Sequence, residues 1–218
     1  MTNILLLGLG RWGVNHLRVL HSLPVELWVA DAQPKQLAHA RQLGISEANL
    51  SIRYQDFAAR VDASVVVTPA EIHFGLCREF LNAGKDVFVE KPLTLNSSEA
   101  KELAELSAAK QRILQVGHIF RFDTASAWLH RAIQTGRFGR VNILRSNFSG
   151  FKRPRDDSGV TFADAIHFLD LFNYFLGRTL ARVTAFMKDF LGRGSGFGDA
   201  SLLSLEYQTA QGSTWGAD

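Results

Sequence analysis

Cysteine is nearly absent: of 218 residues only Cys77 carries a thiol. No internal disulfide can form, and a reducing, cytoplasmic setting is expected. Cys77 sits in a helical apolar pattern and reads as core filler rather than a nucleophile. Long apolar runs are also missing. None approaches the roughly 18 residues that a membrane span needs, so no membrane partner is expected. The opening MTNILLLGLG is apolar but has no basic leader and no small-residue cleavage site, so no secretory signal is recognised. An excess of one charge is lacking as well, with 24 Lys and Arg against 21 Asp and Glu. The densest basic cluster, Lys152-Arg153-Pro154-Arg155, meets Asp156 and Asp157 at once. No basic stripe forms, and no nucleic-acid partner is expected.

Strands and helices alternate through the first hundred-odd residues. Strands are expected at Ile4–Leu7, Val25–Ala30, Ala63–Val67, Val87–Val89 and Ile113–Val116. Helical patterns run through Leu17 and Leu20, over Gln36–Leu43 and Phe74–Leu81, and onward from Asn96, with Glu99 placed for a capping box. Near-continuous apolar strands alternating with helices predict a parallel sheet covered on both faces. After Phe122 the pattern changes. A helix from Thr124 to Gly136 is followed by a strand over Val141–Phe148, a helix, and strands at Arg182–Phe190 and Ser201–Tyr207. Gly192–Gly198 reads as a flexible loop, and Thr209–Gly212 as a hairpin turn. The expected fold class is α/β: an N-terminal Rossmann doubly wound parallel sheet over 1–120, then an α+β domain over 121–218 with an open, mostly antiparallel sheet.

Gly8-Leu9-Gly10-Arg11-Trp12-Gly13 fits G-x-G-x-x-G, with a strand before it and a helix after it. Such glycines allow a tight turn and close approach of backbone to a pyrophosphate at the helix N-terminus. Asp31 ends the second strand, where a carboxylate accepts from ribose hydroxyls and repels a 2′-phosphate. The nearest cation is Lys35. NAD is therefore expected, and NADP is disfavoured.

Two further stretches lie at strand ends, where ligands bind in open parallel sheets: Thr68-Pro69-Ala70 and Glu90-Lys91-Pro92. Far along the chain, FADAIHFLDL (162–171) reads as an apolar helix that nevertheless holds Asp164, His167 and Asp170. Buried charges are costly unless paired or used. Arg121 and Lys152 can meet an anionic group, and Phe148 and Phe151 can wall a pocket, although structural roles are the default for all four.

GLGRWG, TPAEIH, AGKDVFVEKPL, VGHIFRF, TGRFGRV and the helix with His167-x-x-Asp170 stand in the order seen in the Gfo/Idh/MocA oxidoreductases, and the chain resembles that family over nearly its whole length. The resemblance implies a nicotinamide enzyme acting on a secondary alcohol or ketone of a sugar, cyclitol or sugar nucleotide. It places Arg11, Trp12, Thr68, Pro69, His73, Glu90 and Lys91 around the cofactor with Gly8, Gly10, Gly13 and Asp31. It implies a cis Lys91-Pro92 peptide, with Lys91 touching the substrate hydroxyl. His167 is the implied general acid/base, with Asp164 beside it; no metal is implied. A homo-oligomer through the C-terminal sheet is implied too.

The chain departs from the family pattern in two places. The family's aspartate stands four residues before the histidine; here Ala163 holds that place and Asp164 stands three before. The chain is also short, and is expected to lack the usual C-terminal part. Two other functions fit the same fold. One is a catalytically inactive dinucleotide-binding regulator; the other is a non-redox enzyme that uses NAD transiently.

Overall fold

The computed structural model describes residues 1–150, 159–178, 180–192 and 198–208. Phe151, Lys152, most of the Gly192–Gly198 loop and the Thr209–Gly212 turn lie outside the described residues. The chain divides into two units, Met1–Gly117 and His118–Asp218.

The first unit alternates strand and helix: β1 (Thr2–Leu7), α1 (Gly13–His21), β2 (Val25–Ala30), α2 (Ala38–Gln42), β3 (Leu50–Ser51), α3 (Gln55–Ala58), β4 (Ala63–Val66), α4 (His73–Asn82), β5 (Asp86–Val89), α5 (Ser97–Lys110) and β6 (Leu114–Val116). Its six strands pair in the order β3-β2-β1-β4-β5-β6, and every pairing is parallel. β1 shows why its apolar run is unbroken. Leu5 and Leu7 pack into one core with Val66, Phe80, Leu81, Val87 and Leu103. Leu6 faces the other way, into a second core with Leu17, Leu20, Leu27 and Val29. Successive side chains of a strand point to opposite faces, so a sheet covered on both sides needs apolar residues at every position.

α1 buries Gly13, Leu17 and Leu20 and ends with Arg18 and His21, cations that suit a helix C-terminus. α5 starts where expected, with the Asn96 side chain accepting from the Ser98 N–H at 2.9 Å. Two short elements, β3 and α3, were not expected from the sequence. The Gln36–Leu43 helix is a 3₁₀ turn at Pro34–Leu37 followed by α2.

The second unit contains α6 (Thr124–Gln134), a π-helical turn (Thr161–Ala165), α7 (Ile166–Leu176), β7 (Leu180–Lys188) and β8 (Ala200–Tyr207). Asp123 caps α6 by accepting from Ser126 N–H at 3.0 Å. α6 meets α7 where His130 stacks on Tyr174, ring centroids 3.9 Å apart. Gln134 Nε2 donates to the Phe175 carbonyl at 3.0 Å. β7 and β8 pair antiparallel, with Val183 opposite Leu205 and Phe186 opposite Leu202.

Two expectations are corrected here. Val141–Phe148 is not a strand; its residues are mostly exposed and no ladder pairs it among the described residues. Alternation specifies which face a residue would take, but a strand also needs a neighbour to accept its backbone hydrogen bonds. The 162–171 stretch is not one regular α-helix either, because a π turn occupies its first part and leaves Phe162 exposed. No described helix is long and apolar enough to cross a membrane.

Candidate functional site

The strand order reverses between β1 and β4, and at such a point the loops leaving the two strands part to form a crevice. The glycine turn leaves β1 there. Gly8 has φ +94°, and a Cβ on it would lie 2.5 Å from the Val67 carbonyl oxygen. A Cβ on Gly13 would overlap the Gly8 carbonyl. Both glycines are demanded by the fold of the chain itself. Gly10 is different: nothing lies within 4 Å of a Cβ built there. The space it keeps clear is open to a ligand's close approach. Arg11 and Trp12 are exposed at the tip of the turn, and α1 begins without a side-chain cap.

Asp31, just after β2, ties the loop down. Its Oδ2 accepts from the Leu9 N–H at 2.7 Å and its Oδ1 from the Gln33 N–H at 2.8 Å. Each carboxylate oxygen has a further lone pair, which leaves capacity for ribose hydroxyls. Lys35 is exposed on the following turn.

Thr68 follows β4. Its buried hydroxyl has no hydrogen-bond partner among the described residues. Pro69 leads into a 3₁₀ turn over Ala70–Ile72. His73, expected among the cofactor contacts, is 1% exposed. Its ring nitrogens face the backbone carbonyls of Pro92 and Thr68, both at 2.9 Å. The ring thus ties the corner after β4 to the corner after β5. Glu90 and Lys91 follow β5, and the Lys91-Pro92 peptide is cis.

An unoccupied polar atom at Thr68, clear space at Gly10 and a pre-fixed loop under Asp31 fit a dinucleotide. Gly8, Gly10, Gly13, Asp31 and Thr68 are the residues that would hold it.

Glu90 brings in residues that sequence reasoning had not assigned. His16 Nε2 lies 2.8 Å from Glu90 Oε1, and the Lys91 N–H donates to Glu90 Oε2 at 3.2 Å. Burial alone would raise the Glu90 carboxyl, but the His16 bond and the Lys91 N–H outweigh it and hold the group below its ordinary value. The two partners stand 74 positions apart, so no local pattern could reveal them.

In the second unit, His167 is the second residue of α7 and Asp164 lies in the π turn before it. Phe120 sets its ring edge-on against the His167 imidazole, centroids 4.8 Å apart. π turns inside helices are frequent at functional sites. Asp170 is the ion-pair partner of Arg121. Arg121 Nε donates at 2.9 and 2.8 Å to the two carboxylate oxygens, and its Nη2 donates at 2.6 Å. The Asp170 hydrogen bonds raise the Arg121 guanidinium above its ordinary value, against the opposing effect of burial. Arg121 also lies over the Tyr174 ring, 5.2 Å from its centroid. Its geometry is that of a brace between the 119–122 turn and α7.

The first unit is therefore a Rossmann domain with an intact dinucleotide turn. Residues 2–118 match the oxidoreductase family with an NAD-binding Rossmann fold, and residues 127–217 match the Gfo/Idh/MocA C-terminal domain. The chain belongs to the Gfo/Idh/MocA oxidoreductase family.

It is 30% identical over 214 residues to an inositol 2-dehydrogenase of Rhizobium meliloti, covering 95% of this chain and 65% of the relative. It is 34% identical over 191 residues to a scyllo-inositol 2-dehydrogenase (NAD(+)) of Bacillus subtilis, covering 82% and 55%. A crystal structure described as a probable dehydrogenase from Thermotoga maritima superposes with a TM-score of 0.86 at 25% identity, covering 97% of this chain and 66% of that one. The chain thus spans between 55% and 65% of the length of these two curated relatives.

Proposed function

We propose that the protein is an NAD-dependent dehydrogenase, or a reductase in the reverse sense, acting on a secondary alcohol of a cyclitol or related sugar. The observation that carries the reading is the glycine turn under Asp31, with Gly10 left clear. The similarity to inositol dehydrogenases supports the substrate class. The carboxylate of Asp31 supports NAD over NADP.

The bound nicotinamide would supply the acceptor or donor for hydride. The remaining roles fall to the chain. Lys91 carries a fixed positive charge that stabilises the developing alkoxide and lowers the cost of losing the hydroxyl proton. His167 takes that proton on a ring nitrogen, because imidazole exchanges protons near neutral pH. Asp164 supports His167 from the π turn. The exposed pair of Phe186 and Leu202, 59% and 73% accessible, supports a homo-oligomer that covers this face of the β7–β8 pair.

The test is NADH formation when the purified protein is mixed with NAD and a panel of inositols, hexoses and sugar nucleotides, with Lys91→Ala and His167→Ala as controls. Turnover lost in both variants supports the reading. Tight NAD binding with no reduction anywhere in the panel would instead favour a dinucleotide-sensing regulator. Light scattering that gives a monomer would remove the oligomer from the proposal.

A further inference from the structure

Glu90 stands where three elements of the first unit converge. It follows β5, faces α1 and lies against the residue that follows β6. On the α1 side its partner is His16, which comes three residues after the last glycine of the dinucleotide turn. An ionised carboxylate only accepts hydrogen bonds, so the His16 nitrogen facing it must carry a hydrogen. On the β5 side its partner is the backbone N–H of Lys91. On the β6 side stands Gly117, where a Cβ would come within 3.2 Å of Glu90 Cδ and Oε1 and of Phe88 Cζ. Phe88 in turn packs against the His16 ring, centroids 5.3 Å apart and tilted by 57°. His16 and Glu90 are both largely withdrawn from solvent, at 22% and 12% side-chain exposure.

We propose that His16, Glu90 and Gly117 form a positioning bridge that links α1 to Lys91 and sets the direction of Lys91. The dinucleotide turn and α1 are one continuous piece of chain, so a shift of the turn moves His16. His16 pulls on one oxygen of Glu90, and the other oxygen holds the Lys91 N–H. Gly117 leaves room for the carboxylate to lie between them. None of the three residues is required to touch substrate. A group only 1 Å out of place can lower a rate by about a hundredfold, so a bridge of this kind acts on the chemical step rather than on binding.

The inference rests on the proposed dehydrogenase reading for its kinetic arm, but not for its spectroscopic arm. His16→Ala removes the donor, whereas His16→Gln places an amide N–H near the position of Nε2. The two variants are compared with the wild type in three measurements: kcat and KM for the best alcohol of the panel, the NAD dissociation constant, and the NMR signal of isotopically dimethylated Lys91, assigned by its loss in Lys91→Ala.

In His16→Ala the expected result is a kcat lower by about ten- to a hundredfold. The NAD dissociation constant should change by less than about threefold, or 0.7 kcal/mol. The Lys91 signal should move, and His16→Gln should restore kcat and the signal together. Two results would overturn the proposal. One is an unmoved Lys91 signal in a folded His16→Ala. The other is a fall in stability and NAD binding alike that glutamine does not rescue, which marks a merely structural tie. If the wild type binds NAD but oxidises nothing, the dehydrogenase reading fails while the NMR comparison still decides the bridge.

Discussion

Gly8→Ala and Gly10→Ala are the same chemical change two residues apart, and the structure predicts opposite outcomes. At Gly8 the backbone sits at φ +94° and the new Cβ would stand 2.5 Å from the Val67 carbonyl oxygen. A left-handed alanine costs about 1–2 kcal/mol. Relieving the contact requires moving the end of β4, and overpacking of that kind adds about 1–3 kcal/mol. A total near 3 kcal/mol lowers the melting midpoint by roughly 10 °C at this chain length. At Gly10 nothing lies within 4 Å of the added methyl, and the backbone does not adopt the left-handed conformation. Its effect on stability should stay within about 0.5 kcal/mol. The same methyl stands where a pyrophosphate is expected, so NAD affinity should fall at least about tenfold, or 1.4 kcal/mol. Differential scanning fluorimetry and calorimetric titration with NAD read the two effects separately. A Gly10→Ala protein that binds NAD like the wild type would refute the placement of the cofactor at this turn. A Gly8→Ala protein with an unchanged midpoint would refute the strain argument.

Asp31→Ala should loosen the turn and remove the repulsion toward a 2′-phosphate, so that NAD weakens by about tenfold and its lead over NADP shrinks; competitive titration of both dinucleotides checks this. Asp170→Asn breaks a pair in which the carboxylate is 9% and the guanidinium 42% exposed; because the remaining guanidinium is solvated, a loss of about 1–2 kcal/mol, between the exposed-pair and buried-pair ranges, should appear in urea unfolding. Glu90 has a carboxyl held below its ordinary value, so its contribution to stability is present above the glutamate range near pH 4.5 and is lost as pH falls through the lower folded value. Glu90→Gln should therefore flatten part of the acid unfolding curve measured by circular dichroism. Burial pushes the Cys77 thiol up to about 12, so a thiol reagent near neutral pH should react only as the chain opens, and at once in denaturant.

The sequence was most legible where one segment decides its own state. β1, β2, β4 and β5 are mostly apolar on both faces, and the glycine turn carries its own steric reasons. Leu50–Ser51 was missed because a two-residue strand has no periodicity of its own; it exists through its pairing with Val29 and Ala30. Val141–Phe148 failed for the complementary reason, having alternation but no paired strand among the described residues. The π turn before His167 leaves no pattern that distinguishes it from an α-helix. Asp31 was found from its place at a strand end. Its bonds to Leu9 and Gln33 are tertiary facts, as is the link between His16 and Glu90. Asp170 was read as a charge that must be paired or used, and its ion-pair partner Arg121 stands 49 positions away, beyond any local pattern.

The hydrogen bond from the Leu9 N–H to Asp31 has a consequence for kinetics. The turn that would receive the dinucleotide is already held by its own carboxylate, by the packing of Gly8 on Val67 and by the packing of Gly13 on Gly8. Little chain must be ordered when the ligand arrives, so the entropic charge on binding is small. Association should then proceed in one phase, limited by encounter rather than by rearrangement of the loop. Affinity differences among dinucleotides should appear mainly in how fast they leave.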